Sequence, residues 1–287
     1  MSRRKCTALI FAYIFAAVVA VFAVRILFFS RGCFEVIFAD VGQGDASVIL
    51  TKHYKTVLID GGTSENGKYA LTDILRQNGI AKVSAAFISH MQEDHVGGIV
   101  ELIEQGTEIE RLYVGECAAE SDGYSNVERA AETHGIPVNP LSKGEVVDID
   151  GAVFTVLSSG DAESSDENDN MQVLRCDIGS NSILFAGDAT KKLEEQLAEN
   201  PLSDTDILKV PHHGSSYSSS ESFISAVSPT LSVISVGENN RFGHPAERTL
   251  KALDNAGSAI LRTDLDGTVS IIMTEDDILD IRTAVGR

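Results

Sequence analysis

Residues 85–98 constrain the fold of this chain more than any other stretch. Ala85-Ala86-Phe87-Ile88 has the length and composition of a buried strand. It ends abruptly in Ser89-His90-Met91-Gln92-Glu93-Asp94-His95-Val96-Gly97-Gly98. Imidazole and carboxylate are ligands that zinc, manganese and iron take, and a turn leaving a strand folds them around one point. The same grammar recurs: Val57-Leu58-Ile59 runs into Asp60-Gly61-Gly62, Ser182 to Ala186 into Gly187-Asp188, and Asp206 to Val210 into Pro211-His212-His213-Gly214-Ser215. Four of the seven histidines (His90, His95, His212 and His213) fall at such strand ends, where a rigid sheet positions loops for function. The distribution predicts one metal centre assembled from distant segments.

Between these points the pattern alternates strand, loop and helix without internal repeats, which predicts one continuous layered α/β domain. Strands are expected at Phe34 to Ala39, Ala46 to Leu50, Arg111 to Val114 and Gln172 to Ile178, with a hairpin of Val146 to Ile149 and Ala152 to Leu157 around Asp150-Gly151. Helices are expected at Lys68 to Gln77, Val96 to Gln105, Ser125 to His134, Lys191 to Glu199, Glu221 to Val227 and Pro245 to Asn255. Leu231 to Val236, Ile260 to Thr263, Thr268 to Met273 and Ile278 to Arg282 read as strands completing a second sheet. His134, at a helix C-terminus, is read as structural. Ser158 to Asn170 is acidic and polar, a solvated loop beside the site.

The first 33 residues differ in kind. Ser2-Arg3-Arg4-Lys5 is basic, Thr7 to Val24 carries no charge, and Arg25 precedes Ile26-Leu27-Phe28-Phe29. About 20 apolar residues span a bilayer as helix, with Arg25 snorkelling to the headgroups. No small-x-small cleavage site is evident. The expectation is a basic cytoplasmic tip and an uncleaved transmembrane anchor over 1–33, followed by an extracytoplasmic domain over 34–287. The cysteines Cys6, Cys33, Cys117 and Cys176 show no ligand spacing, and Cys117 and Cys176 read as buried thiols, with a disulfide between them left open. The net charge is −19, and all 42 acidic residues lie beyond position 33 against 18 of the 23 lysines and arginines, leaving that part at −24. No basic footprint for nucleic acid exists by composition, so a phosphodiester would be held by a local patch or by a bound metal.

Asp60-Gly61-Gly62, His90-x-x-x-Asp94-His95, Gly187-Asp188 and His212-His213 resemble, in order, the loops of the metallo-β-lactamase superfamily. Ala39-Asp40-Val41-Gly42-Gln43-Gly44-Asp45-Ala46, Pro211-His212-His213-Gly214-Ser215 and Gly243-His244-Pro245 are similar to the hydrolase domain of ComEC-type DNA-internalisation competence proteins. The resemblance covers about residues 34–274. It implies a four-layer αβ/βα sandwich and one or two divalent ions, zinc or manganese, whose bound hydroxide is the nucleophile. It implies His90, Asp94, His95, Asp188 and one of His212 or His213 as metal ligands, with Asp188 bridging where two ions bind. Asp60 would hydrogen-bond a ligand histidine, and Gln92 stands beside the ligands. Asp94, His244 and Asp45 are the catalytic candidates, and Ser215, Asn170, Arg241 and Lys209 the substrate-binding ones.

Two departures stand out: Gln92 occupies the place of the second histidine of the superfamily's first loop, and only His134 lies where the usual third histidine is sought. An amide oxygen suits harder metals than zinc. The resemblance implies a membrane-tethered phosphodiesterase or nuclease acting on DNA. The alternatives are an extracytoplasmic hydrolase of lactone, lactam or cell-wall substrates, and a binding module without catalysis. No obligate protein partner is inferable.

Overall fold

The computed structural model describes residues 10–20, 32–160, 170–199, 202 and 205–285. Residues 10–20 are helical and exposed (α1). The elements that follow are β1 Phe34–Phe38, β2 Ala46–Leu50, β3 Thr56–Gly61, α2 Asn66–Gln77, β4 Lys82–Val83, β5 Ala85–Ile88, α3 Glu93–Glu104, β6 Glu108–Ile109, β7 Leu112–Gly115, α4 Tyr124–His134 and β8 Val138–Leu141. Then come β9 Val146–Ile149, β10 Ala152–Ser159, β11 Gln172–Ile178, β12 Asn181–Phe185, α5 Lys191–Ala198, β13 Ile207–Lys209, α6 Glu221–Val227, β14 Leu231–Ile234, α7 Glu247–Asn255, β15 Ala259–Arg262, α8 Thr263–Asp266, β16 Val269–Met273 and β17 Ile278–Thr283.

Two sheets carry the domain, in the orders β17-β16-β1-β2-β3-β5-β7-β8 and β15-β14-β13-β12-β11-β10-β9. Each is antiparallel in one half and parallel in the other: β3-β5-β7-β8 in the first, β12-β13-β14-β15 in the second. Parallel neighbours require a crossover, normally a helix. Here α2, α3 and α4 make the crossovers of the first sheet, and α5, α6 and α7 those of the second.

Side-chain alternation then sorts the core into three apolar layers. On the first sheet Ile37, Val48 and Leu58 face outward against Leu71, Ile99 and Val127 of α2, α3 and α4. Phe34, Phe38, Ile49 and Phe87 face inward and meet Phe154, Leu174 and Phe185 of the second sheet. Leu184 and Leu208 on the outer face of the second sheet pack on Leu193, Phe223 and Leu253 of α5, α6 and α7. The inner aromatics stack, with Phe87 and Phe154 centroids 4.6 Å apart. These layers are the expected α/β sandwich of helix, sheet, sheet and helix. The carboxyl ends of β3, β5, β12 and β13 reach one rim, where ligands of open α/β sheets usually bind.

Several expectations need correction. β16 pairs with β1 and β17 with β16, so both complete the first sheet, not the second. α3 begins at Glu93, so Asp94 and His95 stand in its first turn rather than in a preceding loop. α7 begins at Glu247, after a cis His244–Pro245 peptide and with Ala246 as its N-cap. Ser158 and Ser159 belong to β10, while residues 161–169 of the acidic run lie outside the described residues. No helix among the described residues is long and apolar enough to cross a membrane. The expected span covers α1, and its remaining residues, with Arg25, lie outside the described ones. Cys117 and Cys176 form no disulfide with each other; Cys176 is a buried thiol as expected, whereas Cys117 is only partly buried.

Candidate metal centre

A close approach of backbone sets the first part of the site. Gly98 of α3 lies directly on Gly61 of β3: a Cβ at position 98 would collide with the Gly61 carbonyl, and one at 61 would stand 2.6 Å from the Ile99 nitrogen. The glycines of Asp60-Gly61-Gly62 and Val96-Gly97-Gly98 thus let the helix start against the sheet. Asp94 and His95 are carried with it to the ends of β3 and β5.

The histidines are oriented from behind. His95 Nδ1 lies 3.0 Å from Asp60 Oδ2, which also accepts from Ser89 Oγ at 2.7 Å, while Asp60 Oδ1 accepts from the Ser89 backbone N–H at 2.8 Å. With its hydrogen committed to Asp60, Ser89 Oγ accepts from His90 Nδ1, 3.0 Å away. His213 Nδ1 donates to the Ser235 carbonyl at 3.0 Å and stands 3.2 Å from Asp45 Oδ1. All three rings therefore commit Nδ1–H to a partner behind them and turn Nε2 inward, the nitrogen a metal ligand uses once its own proton is displaced.

The inward atoms converge. His95 Nε2 is 3.2 Å from Asp188 Oδ1, and His213 Nε2 is 3.4 Å from Asp94 Oδ2 and 3.7 Å from Asp188 Oδ1. His212 Nε2 approaches the other Asp188 oxygen at 3.6 Å. His90 Nε2, His95 Nε2, His213 Nε2 and Asp188 Oδ1 are buried with no hydrogen-bond partner. Buried polar atoms are normally paired, so four orphans around one point are the sign of a cation site. Ligand-distance groups form from His90, His95 and Asp188, and from Asp94, His95 and His213, while Asp188 also groups with Asp45 and His213. Imidazole nitrogens mixed with carboxylate oxygens fit zinc or manganese. His212 and His213 both have positive φ, 50° and 53°. Such backbone is costly for a side-chain-bearing residue and is found where function fixes it.

Electrostatics agree. Burial opposes charge on His213, yet Asp188 and Asp45 outweigh it and raise its pKa to about 9. Against the same burial, Asp188 and Asp60 hold His95 well above the usual imidazole range. Burial, reinforced by His95, pushes His90 down to about 4. Although burial opposes it, His95 and His213 hold Asp188 well below the usual carboxylate range. The centre is thus built to hold positive charge at one place.

The site opens into a pocket of about 390 Å³ lined by Gln43, Gln92, Asp94, Asp188, His212, His213, Arg241, Phe242 and His244 among others. Gln92, the N-cap of α3, lines this pocket. His244 lies at the mouth, its ring 5.8 Å from that of His212, and burial with the neighbouring histidines lowers its pKa.

Four expected roles do not survive. Lys209 is buried, donating to Asp45 Oδ2 at 2.6 Å and to its neighbour's carbonyl, so it cannot reach a substrate. Asp45 is equally buried and tied to Lys209 and His213, so it supports a ligand and touches no substrate. Beneath the centre the pair borders a small cavity of about 10 Å³, lined by Asp60, Ser89 and Gln172 together with Ile59, Leu174 and Phe185. Ser215 is buried, and its hydroxyl accepts from the Tyr217 N–H. Asn170 donates to the Cys117 carbonyl, away from the pocket. Missing from the sequence reading were Ser89, whose place between Asp60 and His90 was its only signal, and Phe242, an aromatic in an otherwise polar loop. His134 ends α4 and faces Glu104 Oε2 at 3.8 Å, a structural contact.

Residues 39–238 match the Metallo-beta-lactamase superfamily. ComE operon protein 3 of Bacillus subtilis is 32% identical over 252 residues, covering 82% of this chain and 32% of that protein. Competence protein ComA of Neisseria gonorrhoeae is 30% identical, covering 80% of this chain and 31% of that protein. The chain therefore spans about a third of these relatives. The solved structure of the metallo-beta-lactamase fold protein YhfI from Bacillus subtilis superposes with a TM-score of 0.56 at 10% identity, over 80% of this chain and 96% of that one. With the converging ligand atoms, these similarities show that the chain belongs to the metallo-β-lactamase superfamily of metal-dependent hydrolases.

Proposed function

We propose that this chain is a phosphodiesterase that cuts DNA, held at the outer face of the cytoplasmic membrane by its N-terminal apolar segment. The observation that carries the reading is the pocket mouth, where His212, Arg241 and His244 ring a carboxylate and imidazole centre. Nitrogen donors around such a centre suit a phosphate whose non-bridging oxygens carry negative charge. Its similarity to competence proteins supports DNA as the source of that phosphodiester. The apolar segment that follows Ser2-Arg3-Arg4-Lys5 supports the tether.

Bound between Asp94, His95, Asp188 and His213, a divalent ion would supply a Lewis acid and a water of lowered pKa. The chain's residues do the rest. Asp60 and Ser235 fix the imidazole tautomers, and Asp188 offers one oxygen toward His95 and the other toward His212. Arg241 at the rim neutralises a phosphate oxygen, and His244, neutral at pH 7 because its pKa is lowered, hydrogen-bonds another through its ring N–H.

The test is hydrolysis of bis-p-nitrophenyl phosphate and of single-stranded DNA by the full chain with added Mn²⁺ or Zn²⁺, beside a chromogenic β-lactam and a lactone. Phosphodiester cleavage lost in His95→Ala is expected. Turnover of the lactam or lactone without phosphodiester cleavage would overturn the reading. Membrane tethering is checked by fractionation: release of the intact chain by carbonate washing would refute it.

A further inference from the structure

The rim holds an exposed aromatic that the chemistry described so far does not use. Phe242 lines the metal pocket and is 55% exposed. A lone exposed aromatic is ordinary, but the backbone that carries this one is pinned. Asn240 Oδ1 accepts from the Phe242 N–H at 3.2 Å and from the His244 N–H at 3.0 Å, and its amide donates to the His244 and Gly237 carbonyls at 2.6 and 3.0 Å. Gln43 Oε1 accepts from the Gly237 N–H at 3.3 Å, tying this loop to the turn after β1.

The flat groups run in series toward the metal ligands. The Phe242 and His244 rings are 5.7 Å apart at 24°, and those of His244 and His213 6.5 Å apart at 30°. The Arg241 guanidinium lies 5.0 Å from the Phe242 centroid. A half-solvated ring beside a guanidinium, one imidazole away from the ligand cluster, suits a molecule that joins a planar aromatic group to a phosphate.

Resting on the phosphodiesterase reading, we propose that Phe242 and Arg241 form a nucleoside subsite: the base next to the scissile phosphate stacks on Phe242 while Arg241, beside that ring, contacts the scissile phosphate. Stacking of a base on an aromatic side chain contributes about 1–3 kcal/mol, from roughly 5-fold to over 100-fold in binding. With a net charge of −19, general electrostatic attraction to a nucleic acid is weak, and a stacking contact adds binding that does not depend on charge.

The test uses two single-stranded oligonucleotides of the same length, one with ordinary bases and one with abasic sites on both sides of its single cleavable phosphate. Both are offered to the wild-type chain and to Phe242→Ala and Phe242→Tyr. Wild type is expected to show a KM at least 5-fold lower for the base-bearing strand. Phe242→Ala should abolish that difference, Phe242→Tyr should keep it, and cleavage of methyl p-nitrophenyl phosphate should stay within 2-fold throughout. Equal KM values for the two strands with wild type, or a preference that survives Phe242→Ala, would overturn the subsite. If methyl p-nitrophenyl phosphate is still cleaved, the phosphodiesterase reading stands without it. If neither that ester nor either strand is cleaved, both fall.

Discussion

Replacing Lys209 by Met tests how the centre is supported from below. The Lys209 ammonium lies 2.6 Å from Asp45 Oδ2, with both side chains almost fully buried. Despite burial, Lys209 and then His213 hold the Asp45 carboxyl well below the usual range. Methionine fills a similar volume, so little cavity energy enters, and the substitution leaves a buried carboxylate short of its nearest counter-charge. Removing one partner of a buried pair costs about 3–5 kcal/mol. His213 at 3.2 Å still offsets part of the charge, so the low end, about 3 kcal/mol, is expected. The assay is urea unfolding of chelator-dialysed protein at pH 7, followed by fluorescence and by circular dichroism. With a slope near 3 kcal/mol/M, the midpoint should fall by about 1 M. Adding Asp45→Asn to Lys209→Met should recover much of the loss, because no uncompensated charge remains. A midpoint within about 0.3 M of wild type would refute the reasoning.

Three further outcomes are expected. Gly98→Ala places a methyl group against the Gly61 carbonyl and should cost about 2–3 kcal/mol, read as a lowered unfolding midpoint; an unchanged midpoint would show that α3 can shift off the sheet. Metal-free protein should be most stable near pH 6.5. Below that value the suppressed protonation of His90, at about 4, disfavours the fold, and above it the stabilisation from His213 is lost as pH rises toward about 9. Bound metal replaces that proton, so the decline above pH 6.5 should vanish on loading, and a metal-free profile still rising at pH 8 would contradict this. Gln92→His adds an imidazole beside Asp94 in the pocket and should tighten zinc binding; an unchanged zinc titration would place residue 92 outside the coordination sphere.

The layered fold and the cluster of metal-ligand candidates were legible because short apolar runs ended repeatedly in His, Asp and Gly. That signal is local and survives without knowledge of pairing. The placement of β16 and β17 was not legible, since it depends on antiparallel pairing of β16 with β1, more than two hundred residues away, and β17 follows β16. Lys209 misled because position at a strand end says nothing about which face the side chain takes. Alternation offered a clue: Ile207 lies in the inner core and Leu208 in the outer one, which turns Lys209 inward between the sheets. The start of α3 was placed three residues late because the charged Glu93-Asp94-His95 does not continue the apolar periodicity, although acidic residues favour a helix N-terminus. Phe242 was passed over because its neighbours are polar and its stacking on His244 exists only in three dimensions.

The most direct test of the metal centre is metal content measured alongside activity, on the full chain and on Asp188→Ala. The account predicts one or two equivalents of zinc or manganese in the wild-type chain, with metal-dependent hydrolysis of bis-p-nitrophenyl phosphate. In folded Asp188→Ala both should be largely lost, because its carboxylate groups with His90 and His95 and also approaches His213 Nε2 at 3.7 Å. A wild-type chain that hydrolyses the ester at the same rate after complete metal removal, or an Asp188→Ala chain that keeps full metal and full activity, would contradict the account.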